Sequence, residues 1–499
     1  MTTGTRGSGA YDTVIAGNGA LGLALAFELG RRGQSVCVVG PAAREGGASA
    51  AAGAMNGCFG EVTRELLGSA HGRMKLQLDV QAADLWDPWT EEVAAAGGAT
   101  VAQLRRKTGT VVILNAIGTG PIDSANFASI QTALETYKRP FSLLDEDDIE
   151  WISPQETSRA FRGLHLPDEH SVDTPMYLAA LEAAVEKVGG HLVDGLIRSV
   201  VADGEPAPRI ILQDGRELSA GQVVLAAGAH SHTLLSDALP DLAKLAPPML
   251  AGCGVSVLVS GALTRPLNHV IRTPNRAFAC GLHAAPRTGG IYIGATNIMS
   301  NRPHSRATIS DLTFLLDCAM KQLHTDLTYG RIEKLQVGNR PVPIDGFPLI
   351  GRLADTPIWM MTGTYRDGFH QSPLLARQMA EALCSGRTES LIADFAPIRP
   401  PIQAASRSQV VATAMEHMLA SGFEWDWRVP PKWSTRLKAD LLQKYEIAAN
   451  ELHETYTPPA EVLAFSVDNP WLKDRLQAYY DAYPPATRSA DRPLDALAG

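Results

Sequence analysis

No stretch of the sequence carries the roughly 18 to 20 consecutive apolar residues that span a bilayer, so a membrane-crossing helix is not expected. The apolar segment nearest the start, residues 21–29, is bracketed by a glycine turn and a following strand, which explains it better than a secretory leader does. Cysteine is scarce: six in 499 residues, at 37, 58, 253, 280, 318 and 384. No C-x-x-C pair and no metal-like cluster occurs among them, so neither a zinc site nor a disulfide framework is expected. Basic residues are also short, 44 against 53 acids, for a net charge of −9. That balance argues against nucleic acid or an anionic membrane as the main partner. The compartment these absences suggest is the cytoplasm.

The chain is too long for one compact core, so two or more domains are expected. Its most informative stretch is residues 11–22, YDTVIAGNGALG. A β-branched apolar run, Thr13 to Ala16, reads as a buried strand. Gly17, Gly19 and Gly22 follow in the spacing G-x-G-x-x-G, then an apolar helix and a second strand, residues 35–39. Strand, glycine turn, helix and strand form the first unit of a dinucleotide-binding fold. Gly17 permits the tight turn, Gly19 lets the backbone approach a pyrophosphate, and Gly22 lets the helix pack on the strand. Ala20 and Leu21 open the helix, whose N-terminus favours phosphate. The acid that usually follows about twenty residues later to hold a ribose is missing, because the second strand ends Val38-Val39-Gly40. Either Glu45 reaches the ribose from the next loop or nothing does.

Residues 48–61 are small and glycine-rich, suited to a backbone lying against a flat ligand. Residues 66–89 have helical spacing, 108–114 read as a strand, and 145–150 as a surface acidic run. Thr174 is the expected N-cap of a helix over 176–188, with Pro175 at its first position and Gly189-Gly190 closing it. Strands are expected at 192–201, 209–212 and 222–228, and antiparallel strands of a second sheet at 247–260 and 277–296. Helices are expected at 309–323 and 372–383, with Gly386 beyond the latter. Segments 338–351 and 358–368 are expected to return to the first domain. Past a proline linker at 397–401, four of the eight tryptophans, 425, 427, 433 and 471, argue for a packed appendage. Residues 1–10 and 484–499 read as loose ends.

With these pieces in order, the chain resembles the D-amino-acid-oxidase superfamily of flavoproteins, and within it glycine oxidase, over about residues 11–385. The resemblance rests on Gly17 to Gly22, Ser49-Ala50-Ala51-Ala52-Gly53-Ala54-Met55, Leu164-His165-Leu166-Pro167 with Val172-Asp173, and Val224 to Gly228. It rests further on Gly338-Asn339-Arg340-Pro341 running to Asp345-Gly346-Phe347-Pro348-Leu349-Ile350-Gly351, and on Gly363-Thr364-Tyr365-Arg366-Asp367-Gly368. It implies an α/β fold: a Rossmann-like FAD-binding domain (11–80, 164–236, 336–393) interleaved with an antiparallel-sheet substrate domain (81–163, 237–335). A C-terminal helical, aromatic extension (394–499) has no counterpart in short glycine oxidases.

The resemblance implies non-covalent FAD, since no cysteine matches the attachment motif of the sarcosine-oxidase branch. It implies a cofactor site of Gly17, Gly19, Ala20, Leu21, Gly22, Ser49, Ala50, Ala52, Gly53, Met55, Leu196, Ala227, Gly228, Thr364, Arg366, Asp367, Gly368 and Phe369. Arg340 is implied to fork onto a substrate carboxylate; the plainer reading is an arginine bonded to backbone carbonyls. Arg366 is implied to stand near the flavin, or else to pair with a local charge such as Asp367. His283 falls where glycine oxidase has a tyrosine facing the substrate. His370, His230 and Cys253 are weaker candidates. The implied activity is oxidation of the CH–NH bond of glycine or of an N-substituted glycine, such as an N-carboxymethyl β-amino acid of antibiotic pathways. Glyoxylate, an amine and H2O2 are the products, and O2 is the acceptor. An oxidase of a D-amino acid, sarcosine or a cyclic imino acid is the alternative, and a non-enzymatic flavin-binding scaffold is another. The oligomeric state stays open, a homodimer among the options.

Overall fold

The computed structural model describes residues 11–117, 120–202, 207–261, 265–275, 281–387 and 390–483. Both expected loose ends, and residues 277–280 of the expected antiparallel strands, lie outside the described residues.

The first strand, Tyr11–Ala16, runs parallel between Val36–Val39 and Glu217–Leu225, with Val14 opposite Cys37 on one side and Val223 on the other. Alternate residues enter different cores. Ile15, Val38 and Val224 face helices Ala20–Arg31, Ala70–Gly97, Thr174–Lys187 and Gly368–Ser385. Val14, Ala16, Cys37, Val39, Val223 and Leu225 face the opposite way, onto helix Ser231–Ala238 and the hairpin Ile197–Val201 with Arg209–Leu212. Burial on both faces is why these strands read as continuous apolar runs. His191–Val193 extends one edge. Ile358–Thr362 pairs in parallel with the end of Glu217–Leu225, and Leu349–Arg352 returns beside it antiparallel.

Among the described residues this sheet has eight strands and a second sheet has ten. In the second, Met249–Ser260 and Arg331–Pro343 pair antiparallel along their length, so that Arg340 stands opposite Gly252. The hairpin His283–Arg287 and Gly290–Gly294 lies alongside. Gly46–Gly47 joins its edge, parallel to Gly338 and Asn339. The chain thus crosses from the first sheet to the second within a few residues of Val39. No helix of the described residues is long and apolar enough to cross a membrane.

Several local expectations shift. The N-cap of helix Thr174–Lys187 is Asp173, whose carboxylate accepts from Met176 N; Thr174 and Pro175 are already helical. Residues 192–201 are not one strand. His191–Val193 and Ile197–Val201 pair with different partners, and Asp194-Gly195-Leu196 forms the break. Helix Gly368–Ser385 begins four residues before its expected start and ends at Gly386 in the left-handed conformation. Residues Gly338 to Pro343 belong to the second sheet, not the first. The boundaries placed at 80/81, 163/164 and 335/336 each fall inside a single element: Ala70–Gly97, Ala160–Leu166 and Arg331–Pro343.

Beyond the linker, helices Arg407–Glu424, Pro431–Leu452, Ala460–Val467 and Pro470–Asp481 form the appendage. Its core is Tyr445, Leu463, Leu472, Leu476 and Tyr479, continuous with Leu250, Val342 and Ile344 of the second sheet. The appendage is packed, but of the four tryptophans that suggested it only Trp471 packs against its core. Trp425, Trp427 and Trp433 are 51%, 46% and 67% exposed, and tyrosine and leucine fill the interior instead.

Candidate functional site

A cavity of about 550 Å³ runs from the carboxyl ends of the first sheet's strands to the face of the second sheet. In open α/β sheets ligands gather at those strand ends. At the outer end Gly17 has φ 126°, and a Cβ there would fall 2.3 Å from the carbonyl oxygen of Ala226, so only glycine fits. Gly19 caps helix Ala20–Arg31 without a side-chain hydrogen bond, leaving the helix N-terminus to the cavity. Ala20 N donates to Ser49 Oγ at 3.0 Å, tying the turn to the next loop. Gly19, Ala20, Leu21 and Ser49 line the cavity. Gly22 does not. A Cβ there would lie 1.9 Å from Gly17 O, so it serves the packing of helix on turn, and its place among cofactor contacts is corrected. Glu45 lines the same end, with Leu196 at the strand break and Ala227 and Gly228 across from it.

At the inner end the loop carrying Ala50, Ala52, Gly53 and Met55 forms one wall. Two residues missed in the sequence fix it: Arg287 Nη2 donates to Gly53 O at 2.6 Å, and the Tyr292 hydroxyl donates to Ala51 O at 3.0 Å. Thr364, Asp367, Gly368 and Phe369 form the facing wall. The Asp367 carboxylate turns away to Lys75, which also meets Asp79 at 3.2 Å. Burial raises Asp367 above the usual carboxylate range. Asp367 is therefore not the partner of Arg366.

Arg340, Arg366 and His283 all reach this inner end. Arg340 Nη1 donates to Thr296 O at 3.0 Å and to Asn297 Oδ1 at 3.3 Å, while Nε and Nη2 have no partner among the described residues. One nitrogen of Arg340 thus meets a backbone carbonyl, as the plainer reading expects, while the rest of the fork is open. Arg366 Nη2 donates to the Tyr365 hydroxyl at 3.3 Å, and its remaining N–H groups are likewise open. Burial, then the charge of Arg366, lowers Arg340 from the usual guanidinium range. Arg272 adds a third cation but is engaged by Glu61 and Asn275. Burial alone would raise Glu61. The charges of Arg272 and Arg366, with hydrogen bonds from Arg272 and Asn275, outweigh it and hold the carboxyl well below its usual range.

His283 is buried, and its ring stacks on Tyr292 with centroids 5.4 Å apart. Nδ1 donates to Gly281 O at 2.8 Å, which leaves the lone pair on Nε2. That atom has no hydrogen-bond partner and points where a Cβ on Gly53 would be, 2.3 Å away. Burial pushes His283 down to about 3, so it is neutral. Of the weaker candidates, His370 and His230 line the cavity and Cys253 does not. His370 is held by Asn56 and by the carbonyl of Asp79. No described cysteine lines the cavity; Cys280 lies outside the described residues. None of the described residues of the appendage lines it either.

Residues 12–382 match the DAO family, described as FAD dependent oxidoreductase, and the chain belongs to that family. The bifunctional protein ThiO/ThiG of Trichormus variabilis is 25% identical over 387 residues, 77% of this chain and 54% of that protein. The chain thus spans about half the length of the bifunctional relatives it matches. Glycine oxidase of Geobacillus kaustophilus is 24% identical over 396 residues, 78% of this chain and 97% of that one. Its crystal structure superposes with a TM-score of 0.65 over 78% of this chain and 99% of that chain. Iminodiacetate oxidase from Chelativorans sp. BNC1 shares the fold at 17% identity, with a TM-score of 0.63 over 77% and 98% of the two chains.

The cavity fits FAD, the family's cofactor, on features of this chain. The side-chain-free cradle at Gly17 and Gly19 and the open helix N-terminus suit a pyrophosphate. The small-residue loop at 50–53 and the orphaned Nε2 of His283 suit a flat ring with polar edges at the inner end. The appendage falls outside the matched residues.

Proposed function

We propose that the chain oxidises the CH–NH bond of an N-substituted glycine, such as an N-carboxymethyl β-amino acid. Loss of two electrons and two protons gives an imine; water cleaves it to glyoxylate and the free amine, and O2 is reduced to H2O2. The observation that carries this reading is the pair Arg340 and Arg366, both at the inner cavity with most of their N–H groups unengaged. A guanidinium stays charged at any working pH and offers two parallel N–H groups, the complement of a carboxylate. Glu61 already offsets Arg272, so an excess of positive charge remains for an anionic group.

Bound FAD supplies the hydride acceptor, so the protein's task is to hold one carbon in place. Arg340 anchors the carboxylate of the carboxymethyl group. His283, its Nε2 buried against Gly53, is neutral and so keeps a positive charge away from the substrate nitrogen. No nucleophile is required. Iminodiacetate, which the name of one structural neighbour gives as its substrate, is itself an N-carboxymethyl glycine.

The test is to purify the full chain, record its flavin spectrum, and assay peroxide and glyoxylate with iminodiacetate, N-carboxymethyl β-amino acids, glycine, sarcosine, D-alanine and proline. Turnover highest with N-carboxymethyl amines is the expected result. A flavin that is reduced only by a D-amino acid or a cyclic imino acid overturns the reading.

A further inference from the structure

We propose that Glu461, on the appendage helix Ala460–Val467, is a positioning residue for both guanidinia of the site, so that the appendage is a working part of the pocket. This rests on the reading of Arg340 as the carboxylate anchor. Glu461 does not line the cavity and acts through two intermediaries. The Tyr365 hydroxyl donates to the Glu461 carboxylate, 3.1 Å from each oxygen. It accepts from Asn297 Nδ2 at 2.6 Å and from Arg366 Nη2 at 3.3 Å. Its one hydrogen and both lone pairs are therefore engaged. The second hydrogen of Asn297 Nδ2 goes to Glu461 Oε1 at 2.7 Å, and Asn297 Oδ1 accepts from Arg340 Nη1 at 3.3 Å. Each guanidinium is thus one bonded residue away from the same carboxylate.

The support behind this arrangement is firm at both ends. Val462 and Leu463, next to Glu461, are buried in the appendage core. Val342, two residues from Arg340 and so on the same face of its strand, packs into that core, and Tyr365 packs at its edge. Tyr365 also holds a left-handed backbone, φ 52°, that a bulky residue adopts only when its surroundings impose it. Electrostatics agrees. Arg340 and Arg366 repel each other at close quarters, and a carboxylate shared between them offsets that repulsion. The charged and titratable groups facing Glu461 are Arg366 and Tyr365 from one segment and Arg340 from the second sheet. Burial outweighs their pull and pushes Glu461 up to about 7, so its charge is sensitive to pH near neutrality.

The experiment compares full-length, flavin-loaded wild type with E461A, E461Q and R340A. Glycolate, a carboxylate without an amine, is titrated by the change in flavin absorbance, and iminodiacetate kinetics are recorded from pH 5.5 to 9. E461A is expected to weaken glycolate binding and raise KM about tenfold, with a smaller fall in kcat. E461Q keeps the shape and an acceptor oxygen, so it is expected to fall between wild type and E461A and to lose the inflection near pH 7. Wild-type glycolate affinity and an unchanged pH profile in E461Q, while R340A binds glycolate poorly, overturn the proposal; a lowered Tm alone does not rescue it. If E461A fails to fold, the isosteric E461Q decides by the same criteria. Normal glycolate binding in R340A overturns instead the anchor reading on which the proposal rests.

Discussion

Arg399 closes a fork on Asp345: Nε donates to Oδ2 at 3.0 Å and Nη2 to Oδ1 at 3.0 Å, and both side chains are buried. Arg399 opens the appendage, and Asp345 sits in the turn after the strand that carries Arg340. Arg399 Nη1 also donates to Pro348 O at 2.6 Å, and the Tyr479 hydroxyl donates to Arg399 O at 2.9 Å. R399A would strand a buried carboxylate and is expected to destabilise the fold by about 3–5 kcal/mol. R399K keeps the charge but not the planar fork and should fall between. Denaturant unfolding of the three proteins at one pH is the check; an R399A midpoint equal to wild type would refute this account.

Replacing Arg340 with alanine is expected to lower kcat/KM by roughly 100-fold or more, chiefly through KM, because charged hydrogen bonds to a carboxylate are lost. R340K should recover only part of that, since an ammonium cannot present two parallel donors. Steady-state kinetics with iminodiacetate measures both.

Gly17→Ala places a Cβ 2.3 Å from Ala226 O at a backbone angle that alanine avoids. The turn must shift, at a cost of about 1–3 kcal/mol, and the approach to a pyrophosphate is spoiled. The variant is expected to purify without flavin. Retained yellow colour, with the 450 nm band intact, would count against the cradle.

His283 is held down to about 3 by burial, with Arg272 and Arg340 adding to the effect and the Gly281 carbonyl and Glu61 opposing it. Its folded value lies below its unfolded value of about 6.5, so the unfolded chain takes up a proton that the folded chain refuses. The stability linked to it is complete above about pH 6.5 and is lost as pH falls toward 3. Glu461 acts in the opposite sense: raised to about 7 from an unfolded value near 4.5, it favours the folded state more as pH falls through that window. H283Q should therefore show a shallower decline of Tm between pH 6 and 4 than wild type. E461Q should show a steeper one. Parallel Tm–pH curves for all three would contradict these assignments.

What the sequence revealed and what it hid follows from range. The turn at Gly17 to Gly22, the loop at Ser49 to Met55 and the arginines at 340 and 366 are local patterns, and the structure brings them to one cavity. Gly22 belongs to the same motif, and in three dimensions it meets Gly17 O and does not line the cavity, in keeping with the packing role its spacing suggests. The break at Asp194-Gly195-Leu196 was hidden because apolar periodicity continues across it while the pairing partner changes. Glu461 was invisible for a stronger reason. It lies 96 positions from Tyr365 and 164 from Asn297, in a helix whose own sequence offers no motif, and only folding gives it partners. The exposed tryptophans misled in the other direction, because aromatic content marks a packed segment without saying which aromatics do the packing.

Gly46–Gly47 binds one sheet to the other early in the chain, yet the cavity walls continue to His370. The ligand site therefore does not exist on a ribosome-bound fragment until that last wall has left the exit tunnel, and the Glu461 contact is made only after nearly a hundred further residues. Synthesis order alone makes cofactor capture a late event in the life of this chain, and the contact to Glu461 a later one still.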